Sequence, residues 1–172
     1  MVEMSSVSAT RPRRYKVASL GNKAGNAADE LTQLRGLAPM TMVKTALGDY
    51  PAQTLRERDR VAIKGGGFVP IKSVQRMVLD EDFMRYHPGA QPICIRAGAF
   101  GIGFPQKAVM LAPYQRVAPQ QRILGAQIRH ARDAIGRAQV YRKAESMITY
   151  TIISLGRPAA INCSGLWVEI PA

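Results

Sequence analysis

From Met40 onward the apolar runs are short, and glycine or proline ends most of them. Such runs suit strands of four to eight residues and leave little room for long helices. The clearest case is "RVAIKGGGFVPIKSV". Val61 and Ile63 stand at the two-residue spacing of a strand. Gly65, Gly66 and Gly67 supply a turn in which positive φ has no steric cost. Val69, Ile71 and Val74 carry the return strand, with Pro70 marking an edge or a bend. "MTMVKTALGDYPAQTL" reads as a strand, a turn at Gly48–Asp49 and a second extended piece. "PICIRAGAFGIGFP" is a strand followed by a glycine-rich bend, and "KAVMLAPYQRVAP" is a strand that opens into a polar turn. "SMITYTIISL" is strongly β-prone. "RPAAINCSGLWVEIP" closes the chain as a last strand and tail. Residues 80–91 read as a polar loop, and residues 122–143 suit a weak helix or a short strand equally. With no βαβ alternation and no internal repeat, the pattern predicts an all-β fold.

The first 36 residues have a different character. Residues 1–23 read as a flexible basic tail rich in Ser, Thr, Pro and Arg. Residues 24–36 suit a short helix, with Asn26 as cap, Asp29 and Glu30 in the first turn, and Gly36 as its stop. Residues 37–172 form the β domain. At 172 residues the chain fits one domain. Aromatics are only 6%, so the core rests on Val, Ile, Leu, Met and Ala.

Lysine and arginine number 24 against 12 acidic residues, a net charge of +12. Such an excess favours acidic partners: a nucleic acid, an anionic membrane surface or an acidic protein. Candidate anion-binding residues are Arg11, Arg13, Arg14 and Lys16 in the tail, with Arg56, Arg58 and Arg60 as a second cluster. The cations are scattered and not interleaved with aromatics, the pattern of a solvated basic surface. No stretch approaches the roughly 18 apolar residues of a membrane span, and the N-terminus lacks a signal-peptide core, so a cytoplasmic location is expected. Cys94 and Cys163 are too few for a disulfide scaffold and could form one bridge, but both lie in apolar runs, where two buried free thiols are the default. His87 and His130 have no cysteine or second histidine at metal-ligand spacing, so neither a zinc site nor any cofactor is expected. "KGGGF" lacks the spacing and following helix of a phosphate loop. "GAFGIGFP" precedes no amphipathic helix.

Several segments together resemble the bacterial Hedgehog/intein (Hint) family. "GLAPMTMVKTALGDYPAQTLRERDRV" fits the family's opening frame through Thr41, Thr45, Gly48, Pro51, Leu55, Asp59 and Val61. "GGGFVPIKSV" follows its glycine hairpin, "PICIRAGAFG" its central strand, and "VMLAPYQRV" its Ser-Pro-x-His-Arg-Val block. "YTIISLGRPAAINCSGLWVE" matches the block that closes the family's pattern. The likeness spans residues from about 36 to 170. It implies a compact, pseudo-symmetric β-fold of hairpins wrapped on themselves.

The resemblance also implies a site. In active members a leading cysteine attacks the carbonyl before it, and a histidine activates that peptide. The matching positions here are Gly36 and Gln115. The block's serine becomes Ala112, and the downstream Asp-x-His becomes Gly156, Arg157 and Pro158. None of Gly36, Ala112, Gln115, Gly156 and Pro158 is a nucleophile or a titratable base. The expectation is a Hint-like domain that has lost autoprocessing at the Arg35–Gly36 bond and serves as a structural or interaction module. One alternative keeps the processing activity and moves the nucleophile to Cys163 or Cys94, with His87 or His130 as base. Asn162–Cys163 matches the Asn-Cys pair at the downstream junction of an intein, although Ile161 stands where a histidine normally precedes it. A second alternative is a basic nucleic-acid-binding protein.

Overall fold

The computed structural model describes residues 34–118 and 128–172, and its regular structure is almost entirely β. β1 (Met42–Thr45), β2 (Gly48–Pro51), β3 (Arg60–Ala62) and β4 (Phe68–Pro70) form an antiparallel sheet in the order β2-β1-β3-β4. β5 (Ser73–Leu79) pairs with β9 (Ile148–Ser154) in an unbroken register from Ser73↔Ser154 to Leu79↔Ile148. β6 (Ile93–Ile95) lies between β7 (Val109–Leu111) and β8 (Val140–Arg142). β10 (Ala159–Cys163) and β11 (Leu166–Ile170) make the final hairpin.

Single bridges stitch these pieces together. Leu37 bridges both Leu111 of β7 and Thr151 of β9, Ile63 bridges Ile161, and Val117 bridges Val168. The main core forms between them from Leu37, Val43, Val61, Ile93, Ile95, Leu111, Ile161, Leu166 and Val168, among others. A smaller core gathers Leu34, Ala38, Leu79, Met84, Ala112, Ile148 and Tyr150. These are aliphatic cores, as the scarcity of aromatics required. Tyr150 is fully buried and donates its hydroxyl hydrogen to the Ala90 carbonyl at 3.0 Å.

Five local readings change. The first hairpin turns at Ala46–Leu47, not Gly48–Asp49. Thr45 Oγ1 donates to the Gly48 carbonyl at 2.7 Å and accepts from the Leu47 N–H at 3.2 Å, so Gly48 already begins β2. The return strand of the glycine hairpin stops at Pro70, and Val74 belongs to β5, whose partner is β9. Pro70 does sit on an edge strand, where its missing N–H does no harm. Residues 80–91 are not all loop: Glu81–Tyr86 is an α-helix, α1. Asp80 caps it by accepting from the Phe83 N–H at 2.9 Å, and Glu81 pairs with Arg85 at 3.1 Å. The closing segment is a two-strand hairpin whose turn is held by Asn162 Oδ1, accepting from the Gly165 N–H at 2.8 Å.

The fifth concerns the start. Most of the helix expected over 24–36 lies outside the described residues, as does the whole of 1–23. Its last three residues, 34–36, are not helical, and Gly36 is not a helix stop. Of the ambiguous stretch 122–143, residues 122–127 lie outside the described residues. Ala131–Ala134 is a 3-10 turn, and a strand follows at Val140–Arg142.

Burial pushes the Cys163 thiol and the Tyr150 phenol far above their usual ranges. The folded chain keeps both protons, whereas the unfolded chain releases them near about pH 8.5 and 10. Stability from these groups is therefore complete below about pH 8.5 and falls as pH rises. Urea midpoints measured across the alkaline range should begin to decline at about pH 8.5 and decline more steeply above about pH 10. Cys163→Ala should remove the earlier onset and Tyr150→Phe the later steepening.

Candidate functional site

Residues 34–38 run as an extended segment through the gap between β7 and β9. On one side the Ala38 N–H donates to the Met110 carbonyl and the Ala112 N–H donates to the Gly36 carbonyl, each at 3.0 Å. The Tyr114 N–H donates to the Leu34 carbonyl at 3.1 Å. On the other side Leu37 and Thr151 exchange both backbone hydrogen bonds at 2.8 Å. The Gly36 N–H takes a side-chain partner, Gln115 Oε1, at 2.9 Å.

Gln115 is only 3% exposed. Its Nε2 donates to the Glu169 carbonyl at 2.7 Å and to the Arg116 carbonyl at 3.2 Å. One amide thus uses an acceptor and two donors to join three chain segments: 34–38, the turn after β7, and β11. A neutral imidazole has one donor and one acceptor and cannot make all three bonds. The turn itself is fixed by the Gln115 N–H donating to Ala112 and by the Gln115 carbonyl accepting from Ala131.

Gly36 adopts a φ of +136°, which side-chain-bearing residues rarely take. A Cβ there would lie 2.9 Å from Tyr150 Cβ and 3.1 Å from the Thr151 carbonyl oxygen. The room a side chain needs at this position is filled by β9.

A cleft of about 700 Å³ opens beside Gln115. Ala118, Ala159, Ala160 and Ile170 supply apolar wall, with Pro158 and Pro171 at the edge. Arg35, Lys64 and Arg116 bring positive charge, and Glu169 brings one carboxylate, paired with Arg116 at 2.9 Å. Among the described residues that line it there is no serine, threonine, cysteine or histidine.

The structure brings four of the five predicted positions to this place. Gly36, Ala112 and Gln115 are joined by hydrogen bonds, and Gln115 and Pro158 share the cleft. Ala112 itself is buried in the smaller core and does not line the cleft, and Gly156 lies apart on an exposed turn against Lys72. Arg11, Arg13, Arg14 and Lys16 lie outside the described residues. Arg56, Arg58 and Arg60 are exposed around the turn into β3, and none lines the cleft.

The other reactive side chains serve local structure. Cys94 and Cys163 are buried free thiols. His87 stacks on Phe83 with ring centroids 4.4 Å apart. His130 caps the 3-10 turn that holds Asp133. Among the described residues no three His, Cys, Asp or Glu side chains gather as metal ligands, and no helix is long and apolar enough to cross a membrane.

Sequence reading missed Arg35, Lys64 and Arg116 as a group. They come from three distant segments, and nothing in their spacing joins them. It also missed the cluster beside them, where the Arg132 guanidinium lies 4.4 Å from the Tyr114 ring centroid and bonds the Tyr114 hydroxyl.

An all-β domain whose first described segment threads between two strands and ends at a cleft is the class that the fold and site define. The chain belongs to the Hint domain family, whose profile matches residues 36–170. Among solved structures it is similar to the gp41-1 intein, with 10% identity over 78% of this chain and 97% of that one and a TM-score of 0.47. It is also similar to the MchDnaB-1 intein, with 10% identity over 77% and 98% and a TM-score of 0.45. No curated protein matches the chain.

Gln115→Ala should strand the buried Gly36 N–H and the Glu169 carbonyl, at about 1–3 kcal/mol for each buried group left unpaired. Gln115→Glu, with the same shape but no donor pair, should also destabilise. Chemical denaturation compared with the parent chain checks both.

Proposed function

We propose that this Hint domain does not process itself and acts as a structural or interaction module. The observation that carries the reading is Gln115. At the position where the family resemblance expects a histidine, a buried, non-titrating amide is fully engaged in holding Gly36, Arg116 and Glu169. It has no proton to give or take at neutral pH. The Arg35–Gly36 peptide has a glycine where a nucleophile would be needed, and β9 fills the space a side chain would use.

A relocated nucleophile finds little support. Cys163 is fully buried, and desolvation disfavours its thiolate, the reactive form. Cys94 is also buried, and neither cysteine lines the cleft. Neither His87 nor His130 lines it either.

The test is the intact mass of the chain carrying an N-terminal fusion, incubated with and without a thiol. One uncleaved mass is expected in both. A fragment ending at Arg35, or a break beside Cys163, would contradict the proposal. Gly36→Cys should remain uncleaved and should lower stability, since its Cβ meets Tyr150 and Thr151. Efficient thiol-dependent cleavage in that variant would show that the site is poised for chemistry and lacks only its nucleophile.

A further inference from the structure

We propose that the loop between β6 and β7 is a docking tip that inserts its apolar end into an anionic lipid surface. The Gln106 N–H ties this loop to the Ser164 carbonyl at 2.8 Å, in the turn of the β10–β11 hairpin. The cleft lies at the other end of that hairpin, beside Ala159 and Ile170. The proposal therefore stands whether or not the cleft is inert.

The tip is Ile102. Among the described residues it is the most exposed large apolar side chain. It stands between Gly101 and Gly103, and a Cβ built on either glycine would meet nothing within 4 Å. A solitary exposed apolar side chain needs no explanation. This one is held out on a loop that its own backbone closes. The Phe100 N–H donates to the Phe104 carbonyl, the Phe104 N–H to the Gly101 carbonyl and the Gly98 N–H to the Pro105 carbonyl, each at 3.0 Å. Beneath the tip the Phe100 and Phe104 rings lie 6.0 Å apart and pack on the main core. An isoleucine displayed on an ordered loop has little freedom left to lose when it is buried.

The charges at the base of the loop are uncommitted. Arg96 and Lys107 flank it and are exposed, and the Arg137 guanidinium lies 5.7 Å from the Phe100 ring centroid. None of the three forms an ion pair among the described residues. No aspartate or glutamate occurs between Asp82 and Asp133. Asp133 itself accepts from the backbone N–H groups of Arg129 and His130. The result is an apolar point above a base of cations.

An anionic lipid surface rewards both features at once. The isoleucine enters the boundary between headgroups and acyl chains, while the cations stay level with the anionic headgroups. A nucleic acid offers phosphates but no apolar layer for the tip. Its bases would stack on open aromatic faces, and both phenylalanines here are packed on the core. An attachment of this kind is reversible and lies on the membrane without spanning it.

The experiment sediments the full chain with vesicles of equal parts phosphatidylcholine and phosphatidylserine, and with vesicles of phosphatidylcholine alone. Binding to the anionic vesicles alone, weakening with salt, is expected. Ile102→Ser leaves every charge in place and should weaken binding by about tenfold. Arg96→Gln with Lys107→Gln should also weaken it and reduce its salt dependence. Tyr86→Ser, which removes another exposed ring on α1, should leave it unchanged. In Ile102→Trp, brominated lipid should quench fluorescence well beyond the parent chain, whose one tryptophan is Trp167. Circular dichroism confirms that each variant folds.

Four outcomes would overturn the proposal. The anionic vesicles fail to bind the chain. Ile102→Ser binds them as well as the parent does, which would make the attachment one of general charge. Brominated lipid leaves the tryptophan at 102 unquenched. Or the chain associates with itself without lipid and Ile102→Ser abolishes that association, which would make the tip a contact between copies.

Discussion

The hydrogen bond between the Gly36 amide and the buried Gln115 side chain is the contact on which the site's architecture turns. Residues 34–38 fill the gap between β7 and β9, and their backbone groups pair with both strands. Gln115 closes the arrangement and extends it to β11 through the Glu169 carbonyl. A buried amide is costly to leave unpaired, so the three segments are bound to one geometry. Gly36 is the residue that can lie this close to Tyr150 and Thr151 at positive φ. The two residues support one another: without the glycine the segment does not fit, and without the glutamine its amide loses its partner.

The same pair bears on chemistry. A processing site needs a nucleophile next to the scissile carbonyl and a group that moves a proton. At the positions to which the family resemblance assigns these roles, Gly36 has no side chain, and Gln115 has one that does not titrate and is bonded to three chain segments. What remains beside them is a cleft of apolar walls and a basic rim. Reactive groups elsewhere are spent on structure: Cys163 in the core, Asn162 in the β10–β11 turn, and His130 as a cap. The Asn162–Cys163 pair is thus part of a hairpin.

Much of the fold was legible because it rests on local signals. The β-prone runs at 61–63, 93–95, 109–111 and 148–154 all became or joined strands, and the glycine run at 65–67 became a turn. Misreadings occurred where a side chain overrode the glycine rule. Thr45 closes a turn two residues before the glycine that seemed to mark it, and Asn162 closes one inside an apparent single strand. The helix α1 had its signal on the page in Asp80 with Glu81 and Asp82 behind it, and the polarity of the stretch concealed it. The site was legible only through the order of motifs that resemble the family. Gly36 and Gln115 are 79 residues apart, and no periodicity predicts their contact. Arg35, Lys64 and Arg116 meet only because of topology.

Amide hydrogen exchange at Gly36 tests most directly whether residues at the site hold structure in place of doing chemistry. The account predicts that the Gly36 N–H, locked onto Gln115, is protected to the same degree as the Leu37 and Thr151 amides on either side of it. Exchange at the rate of an exposed loop would contradict it. The Gly36 peptide would then be free to move, and Gln115 would not be the contact that fixes the site.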